Sequence, residues 1–105
     1  VTENSFTAPI AARLLKEAGA EFVIIGTHEH RLKHHETNES INAKINRAAE
    51  EGLIPFLCVG DTVEEFTAGR TKEVVLNQLE GCLKGITSLR GFTIIYEAPW
   101  MDKFP

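Results

Sequence analysis

Phe22-Val23-Ile24-Ile25-Gly26-Thr27-His28-Glu29-His30-Arg31 decides how this chain is read. Four apolar residues stop at a glycine, and polar, ionisable side chains follow at once. An apolar run of that kind reads as a strand buried on both faces, as in parallel sheets. A second passage has the same form: Ile94-Ile95-Tyr96-Glu97-Ala98-Pro99-Trp100. In α/β barrels and doubly wound sheets the carboxyl ends of the strands carry the chemistry. The two passages therefore place a carboxylate, Glu97, and the imidazole-rich stretch 28–35 on one rim, a pairing suited to proton transfer.

Outward from these passages, helix and strand alternate. Thr7 to Ala18 reads as a helix, with Ile10, Leu14 and Ala18 on one face, Leu15 widening it, Pro9 in the first turn and Gly19 as the stop. Residues 26–38 read as a long charged loop. Asn38 is placed to cap a helix of roughly 39–51, with Ile41, Ile45, Ala48 and Ala49 facing inward and Gly52 ending it. Ile54-Pro55-Phe56-Leu57-Cys58-Val59-Gly60 is a second buried strand, and Pro55 fits only at its start. Asp61 or Thr62 would cap a short helix near Val63–Phe66. Thr71 to Leu83 carries Val75, Leu79 and Leu83 on one stripe, with Leu76 beside it. After a turn from Gly85 to Gly91, Phe92 to Tyr96 is the third strand.

With 105 residues the chain is one domain at most, or a piece of one. A formal charge of −4 argues against a nucleic-acid footprint. No basic run would attract a membrane surface, no stretch approaches the roughly 20 apolar residues of a membrane span, and the first residues do not read as a signal peptide. Cys58 and Cys82 fall on apolar positions, so two reduced thiols in the cytoplasm are expected rather than a disulfide. The pattern is a run of parallel αβ units. A closed barrel of such units takes about 250 residues, so the chain reads as less than half a barrel or as a very small open sheet. The outer strands would expose unpaired edges, which predicts association, domain swapping or marginal stability unless a partner supplies the remainder.

Glu97 closes an apolar strand beside a phenol and an indole. Partial desolvation there makes a carboxylate a stronger base; the plainer reading is a solvated strand end or a helix cap. His28, His30, His34 and His35 fall within eight positions. His28 and His30, from one extended edge, would offer two ligands to a divalent metal, whereas solvated loop histidines are the simpler account. Glu29 and Arg31 read as an ion pair of the loop, with Arg31 facing an anionic group as the alternative. Gly60-Asp61-Thr62 would present helix N-terminal donors to a phosphate. Cys58 lies inside an apolar run, where burial suppresses thiolate formation.

In order and spacing the chain resembles the triosephosphate isomerase family through nearly all 105 residues. The resemblance begins at Asn4-Ser5-Phe6-Thr7 and runs through Leu15-Lys16-Glu17-Ala18-Gly19 and Phe22-Val23-Ile24-Ile25-Gly26. It continues through His35-Glu36, Asn38, Gly52 to Gly60, Glu64-Glu65 and Ala68-Gly69, and ends at Tyr96-Glu97 with Trp100. It implies a partial TIM (βα)8 barrel of about three parallel strands with intervening helices. Residues 1–105 would form a single domain, from the loop after strand three to the loop after strand six. The family interconverts dihydroxyacetone phosphate and glyceraldehyde 3-phosphate. A glutamate moves the proton, a neutral histidine polarises the carbonyl and a lid excludes water, a division of labour taken from the family and not from these residues. By resemblance Glu97 is the base, Glu29 the supporting acid of the loop after the fourth strand, and Cys58 a packing residue.

The departures are as specific as the match. Where the family has Gly-His-Ser-Glu-Arg-Arg, this chain has Gly26-Thr27-His28-Glu29-His30-Arg31. Thr27 takes the electrophile's place, and His28 would stand in from one position later. After Glu97, Ala98-Pro99-Trp100 shifts the family's proline, and Met101-Asp102-Lys103-Phe104-Pro105 stands where the family has its lid. Pro9 replaces an acidic residue of the dimer-forming loop. The family's first-strand asparagine and lysine and its glycine-rich phosphate loops have no counterpart in these residues. The expectation is therefore a phosphorylated-triose isomerase site, with catalytic residues Glu97, His28 and Glu29, no cofactor and no metal, weak or inactive in the isolated chain. The alternative is a non-catalytic half-barrel module that assembles with itself or with a complementary fragment.

Overall fold

The computed structural model describes residues 12–87 and 90–98. The expectations for Asn4 to Ile10, for Pro99 and Trp100, and for Met101 to Pro105 lie outside the described residues. The order is α1 (12–17), β1 (Phe22–Ile25), α2 (His28–Lys33), α3 (Asn38–Glu50), β2 (Ile54–Val59), α4 (Val63–Thr67), α5 (Thr71–Cys82) and β3 (Thr93–Tyr96).

Among the described residues the strands form one sheet in the order β1-β2-β3, with both pairings parallel. Ile25 pairs with Leu57, Leu57 with Ile94, and Val59 with Tyr96. All three strands therefore point their carboxyl ends the same way, and β1 and β3 are the edges. The helical crossovers explain the direction: a parallel neighbour requires a connection that returns to the starting side. The described residues form an α/β fold with three parallel strands, as expected.

Alternation along each strand sorts the apolar side chains onto two faces. On one face Ile25, Leu57 and Val59 pack with Ile41, Ile45 and Ala48 of α3, with Leu53, and with Cys82 of α5. Leu57, Ile41 and Ile45 are fully buried. On the other face Phe22 and Ile24 remain 52% and 48% exposed. The Phe22 ring stacks on Phe56 of the neighbouring strand at 4.8 Å. The expected two-sided burial is thus realised on one side only. The apolar run has no layer over its second face among the described residues.

One expectation is corrected at a helix end. Thr37, not Asn38, caps α3, through a box in which the Thr37 hydroxyl accepts from the Ser40 N–H and the Ser40 hydroxyl accepts from the Thr37 N–H. Asn38 is the first helical residue, and its carboxamide oxygen faces Arg31 and the Cys82 thiol. Along α5 and its cap, Val75, Leu79 and Leu83 pack against the core as expected, while Leu76 stays exposed. At the end of α3, Gly52 adopts φ +82, and the Leu53 N–H reaches back to the Ala48 carbonyl, closing the helix where sequence placed its stop. Among the described residues no helix is long and apolar enough to cross a membrane.

Candidate functional site

The charged stretch after β1 is not a loop. Thr27 takes the capping position and its hydroxyl accepts from the His30 N–H at 3.2 Å, so the chain coils at once into α2. That turn changes every assignment made for an extended segment. His28 and His30, two apart on a helix, lie on different faces, unlike on an extended edge. His30 instead meets His34 edge-to-face at 5.3 Å. Among the described residues no group of three or more His, Cys, Asp or Glu side chains is gathered as a metal site.

Glu29 and Arg31 do not pair with each other. Glu29 sits on the solvent side of α2, 3.0 Å from Lys33 one turn on. The hydrogen bond and charge of Lys33 hold its carboxyl below the usual carboxylate range. It does not line the pocket described below. The cause is the helix, which sets residues four apart on one face. Arg31 turns inward. Its Nε donates to the Gly26 carbonyl at 2.7 Å and its Nη2 to the Cys58 carbonyl at 2.9 Å, tying the ends of β1 and β2 together. A Cβ on Gly26 would sit 3.1 Å from the Cys58 carbonyl and 3.2 Å from Arg31 Nη2, so this close approach suits glycine, as does φ +84.

Glu97 follows β3 directly, and its own N–H extends the ladder by donating to the Val59 carbonyl at 2.7 Å. Its side chain reaches across the sheet end, and Oε1 accepts from the backbone N–H of His28 at 2.8 Å. The carboxylate after β3 and the first residue of α2 after β1 therefore meet over the end of β2. A pocket of about 170 Å³ opens there, lined by Gly26, His28, Arg31, Val59, Asp61 and Glu97 among others. Sequence reading anticipated that Glu97 and the histidine stretch share a rim. The partner is the amide of His28, however, and not an imidazole.

The Gly60-Asp61-Thr62 loop is occupied by its own contacts. The Gly60 N–H donates to Gln78 Oε1 at 2.8 Å, and Thr62 and Glu65 close a capping box at the start of α4. Those partners take up the Gly60, Thr62 and Glu65 N–H groups of the expected phosphate loop. Arg31, the guanidinium lining the pocket, is likewise committed to carbonyls, while Asp61, Glu65 and Glu97 bring carboxylates. An anionic substrate group has no evident grip among these lining residues.

Sequence reading missed the role of Asp61, which it took for a cap or part of a phosphate loop, and missed Gln78 altogether. Asp61, 2% exposed, accepts from the Tyr96 hydroxyl at 2.6 Å and from the Thr71 hydroxyl. The hydrogen bond to Asp61, with burial second, pushes the Tyr96 phenol up to about 12. Gln78 brackets Gly60, its Nε2 donating to the Gly60 carbonyl at 2.9 Å. An acid directly after the strand's terminal glycine was a signal for Asp61; Gln78 gave none. Cys58 and Cys82 are free and buried, and burial raises both thiols above the ordinary range. For Cys58 the Glu97 charge adds to that effect.

A family model described as triosephosphate isomerase matches residues 1–101. The chain is 44% identical over 101 residues to a triosephosphate isomerase of Protochlamydia amoebophila, an alignment covering 94% of this chain and 38% of the relative. A triosephosphate isomerase of Alkaliphilus metalliredigens is 42% identical over 99 residues, with 92% and 40% covered. The crystal structure of triosephosphate isomerase from Bartonella henselae superposes with a TM-score of 0.80 at 38% identity, covering 88% of this chain and 39% of that one. The chain thus spans about two-fifths of the length of the relatives it matches, 38% and 40% in the two sequences above.

Proposed function

The chain belongs to the triosephosphate isomerase family, and on that premise we propose that it carries the proton-transfer end of a triose phosphate isomerase site. Glu97 is the base. It takes a proton from the hydroxyl-bearing carbon beside the carbonyl of dihydroxyacetone phosphate and returns it to the former carbonyl carbon, while the hydroxyl proton passes from the one oxygen to the other through an enediol, giving glyceraldehyde 3-phosphate. The observation that carries this reading is the 2.8 Å hydrogen bond from the His28 N–H to Glu97 Oε1 on the shared rim. It holds one carboxylate oxygen in the pocket and leaves a second oxygen of the same group to move the proton. His28 takes the electrophile's role in place of Thr27, whose hydroxyl caps α2. Glu29, paired with Lys33, has no contact with substrate.

The chain is one domain in this reading, running from the loop after the family's third strand to the loop after its sixth. The substrate phosphate is gripped by residues from elsewhere, since the pocket's own charged groups are carboxylates and a committed guanidinium. Alone, the chain is weak or inactive. Two buried free thiols fit a reducing, cytoplasmic setting. The test is a coupled isomerase assay on the purified chain, alone and mixed with the complementary segments of a relative. Little activity alone and activity on mixing that Glu97→Gln removes is the expected result. A rate near that of a full barrel from the chain alone overturns the weak or inactive reading, and indifference to Glu97→Gln in the mixture overturns the role of the base.

A second reading, a non-catalytic module that assembles with itself or a complementary fragment, is favoured by the bare face of Phe22 and Ile24 and by the edges β1 and β3. Light scattering after size exclusion tests it, and a compact monomer at every concentration counts against it.

A further inference from the structure

One side chain brackets the Gly60 peptide. Gln78, on α5, accepts from the Gly60 N–H at 2.8 Å and donates to the Gly60 carbonyl at 2.9 Å. Gly60 in turn abuts the main chain of Glu97. A Cβ at Gly60 would fall 1.8 Å from the Glu97 carbonyl oxygen and 2.9 Å from its carbon. The contact is backbone against backbone with no room for a methyl group, so a shift of Gly60 is passed directly to Glu97. The Glu97 N–H is fixed on Val59, the residue before Gly60. Gln78 also lines the pocket that holds Glu97 and His28.

From this chain of contacts we infer that Gln78 is a positioning residue for Glu97, acting through Gly60; the inference rests on the reading of Glu97 as the base. A site is held only as well as the groups behind it are held. Here one carboxamide supplies both the donor and the acceptor that a glycine with no side chain cannot supply itself. Gln is the residue type that does this. Glu at the same position keeps the acceptor for the Gly60 N–H and loses the donor for its carbonyl; Leu loses both.

Amide NMR of the 105-residue chain tests the inference. In the parent protein the His28 amide resonance carries the downfield shift of its hydrogen bond to Glu97 Oε1, and Glu97→Ala removes it. In both Gln78→Glu and Gln78→Leu the helical signal stays; in Gln78→Leu the Gly60 amide loses about five- to tenfold of its exchange protection, the equivalent of one hydrogen bond, while Gln78→Glu keeps the acceptor of that amide and most of its protection. This His28 response is diminished in Gln78→Glu and more so in Gln78→Leu. A role in packing alone would leave the His28 response intact in both variants, and that result overturns the inference. Should either variant fail to fold, the parent decides. Its Gly60 and Glu97 amides are expected to open together, and a Gly60 amide that exchanges freely while Glu97 stays protected overturns it. None of these readouts is activity. Isomerase turnover that survives Glu97→Gln would therefore sink the proton-transfer reading without touching this contact, and the reverse holds equally.

Discussion

Gly60→Ala is the substitution whose cost the structure defines best. Gly60 is not in the left-handed region, so the backbone conformation itself suits alanine. On conformational grounds alone the change would stabilise by about 0.4–1 kcal/mol, by restricting the unfolded chain. Sterics oppose it. The new methyl carbon would lie 1.8 Å from the Glu97 carbonyl oxygen, where a carbon–oxygen contact needs about 3.3 Å. The gap must open by about 1.5 Å. What must yield is not a flexible side chain but the main chain of Glu97, anchored to Val59 at 2.7 Å. Overpacking of this kind costs about 1–3 kcal/mol, and loss of the anchoring hydrogen bond adds about 1 kcal/mol. The net expectation is a loss of about 2 kcal/mol, the steric and hydrogen-bond costs exceeding the entropic gain. Urea unfolding reads this as a midpoint lowered by about 1–2 M, for a slope near the low end for small proteins. The His28 amide resonance should move at the same time, because Glu97 Oε1 is its acceptor. In a completed active site, a displacement of about 1 Å can cost roughly a hundredfold in rate. A variant as stable as the parent, with an unmoved His28 amide, would refute this account of how the rim is built.

Three further outcomes follow from the same contacts. Leu57→Ala, at a fully buried position, should cost about 3–4 kcal/mol in denaturant unfolding, whereas Ile24→Ala, 48% exposed on the bare face, should cost about 1 kcal/mol or less; equal costs would contradict the one-sided sheet. Tyr96 is the chain's one tyrosine, so its phenolate absorbance titrates unmixed: with the phenol raised from 10 to about 12, its share of stability is complete below pH 10 and lost as pH climbs to about 12, and Asp61→Asn should return the titration toward 10. Burial opposes the Glu36 carboxylate, but hydrogen bonds from Lys44 and Ser40 outweigh it and leave the group below its ordinary value of 4.5. Its contribution therefore stands above that value and fades as pH falls through and below it. Lys44→Met should destabilise by about 2 kcal/mol near neutral pH, less than the figure for fully buried pairs because Lys44 is partly exposed, and by little in acid, as read by urea unfolding at both.

The three strands were legible because Phe22 to Ile25, Ile54 to Val59 and Thr93 to Tyr96 are apolar runs bounded by glycine or charge, a signal that needs no tertiary information. Their shared direction followed from the helices between them. The bare face was not legible, since a continuous apolar run looks the same whether one side or both are covered. The helix α2 was missed because its six residues hold one large apolar side chain, Leu32, and no periodicity. Its marks were a threonine cap and the Glu29–Lys33 spacing, which the histidines overshadowed. At the site, Glu97 was readable from its place after a strand. Gln78 was not, because a polar residue on a mostly exposed helix carries no sign of the backbone it will meet. Arg31 was misassigned for a related reason: a charged side chain suggests a charged partner, and here its partners are carbonyls that only the fold assembles.

The most direct test is the scalar coupling across the hydrogen bond between the His28 amide nitrogen and the Glu97 carboxyl carbon. A resolved coupling in the parent chain, gone in Glu97→Ala, is the result expected of strands that converge on one rim. No coupling, with a His28 amide resonance that Glu97→Ala leaves unmoved, would contradict it.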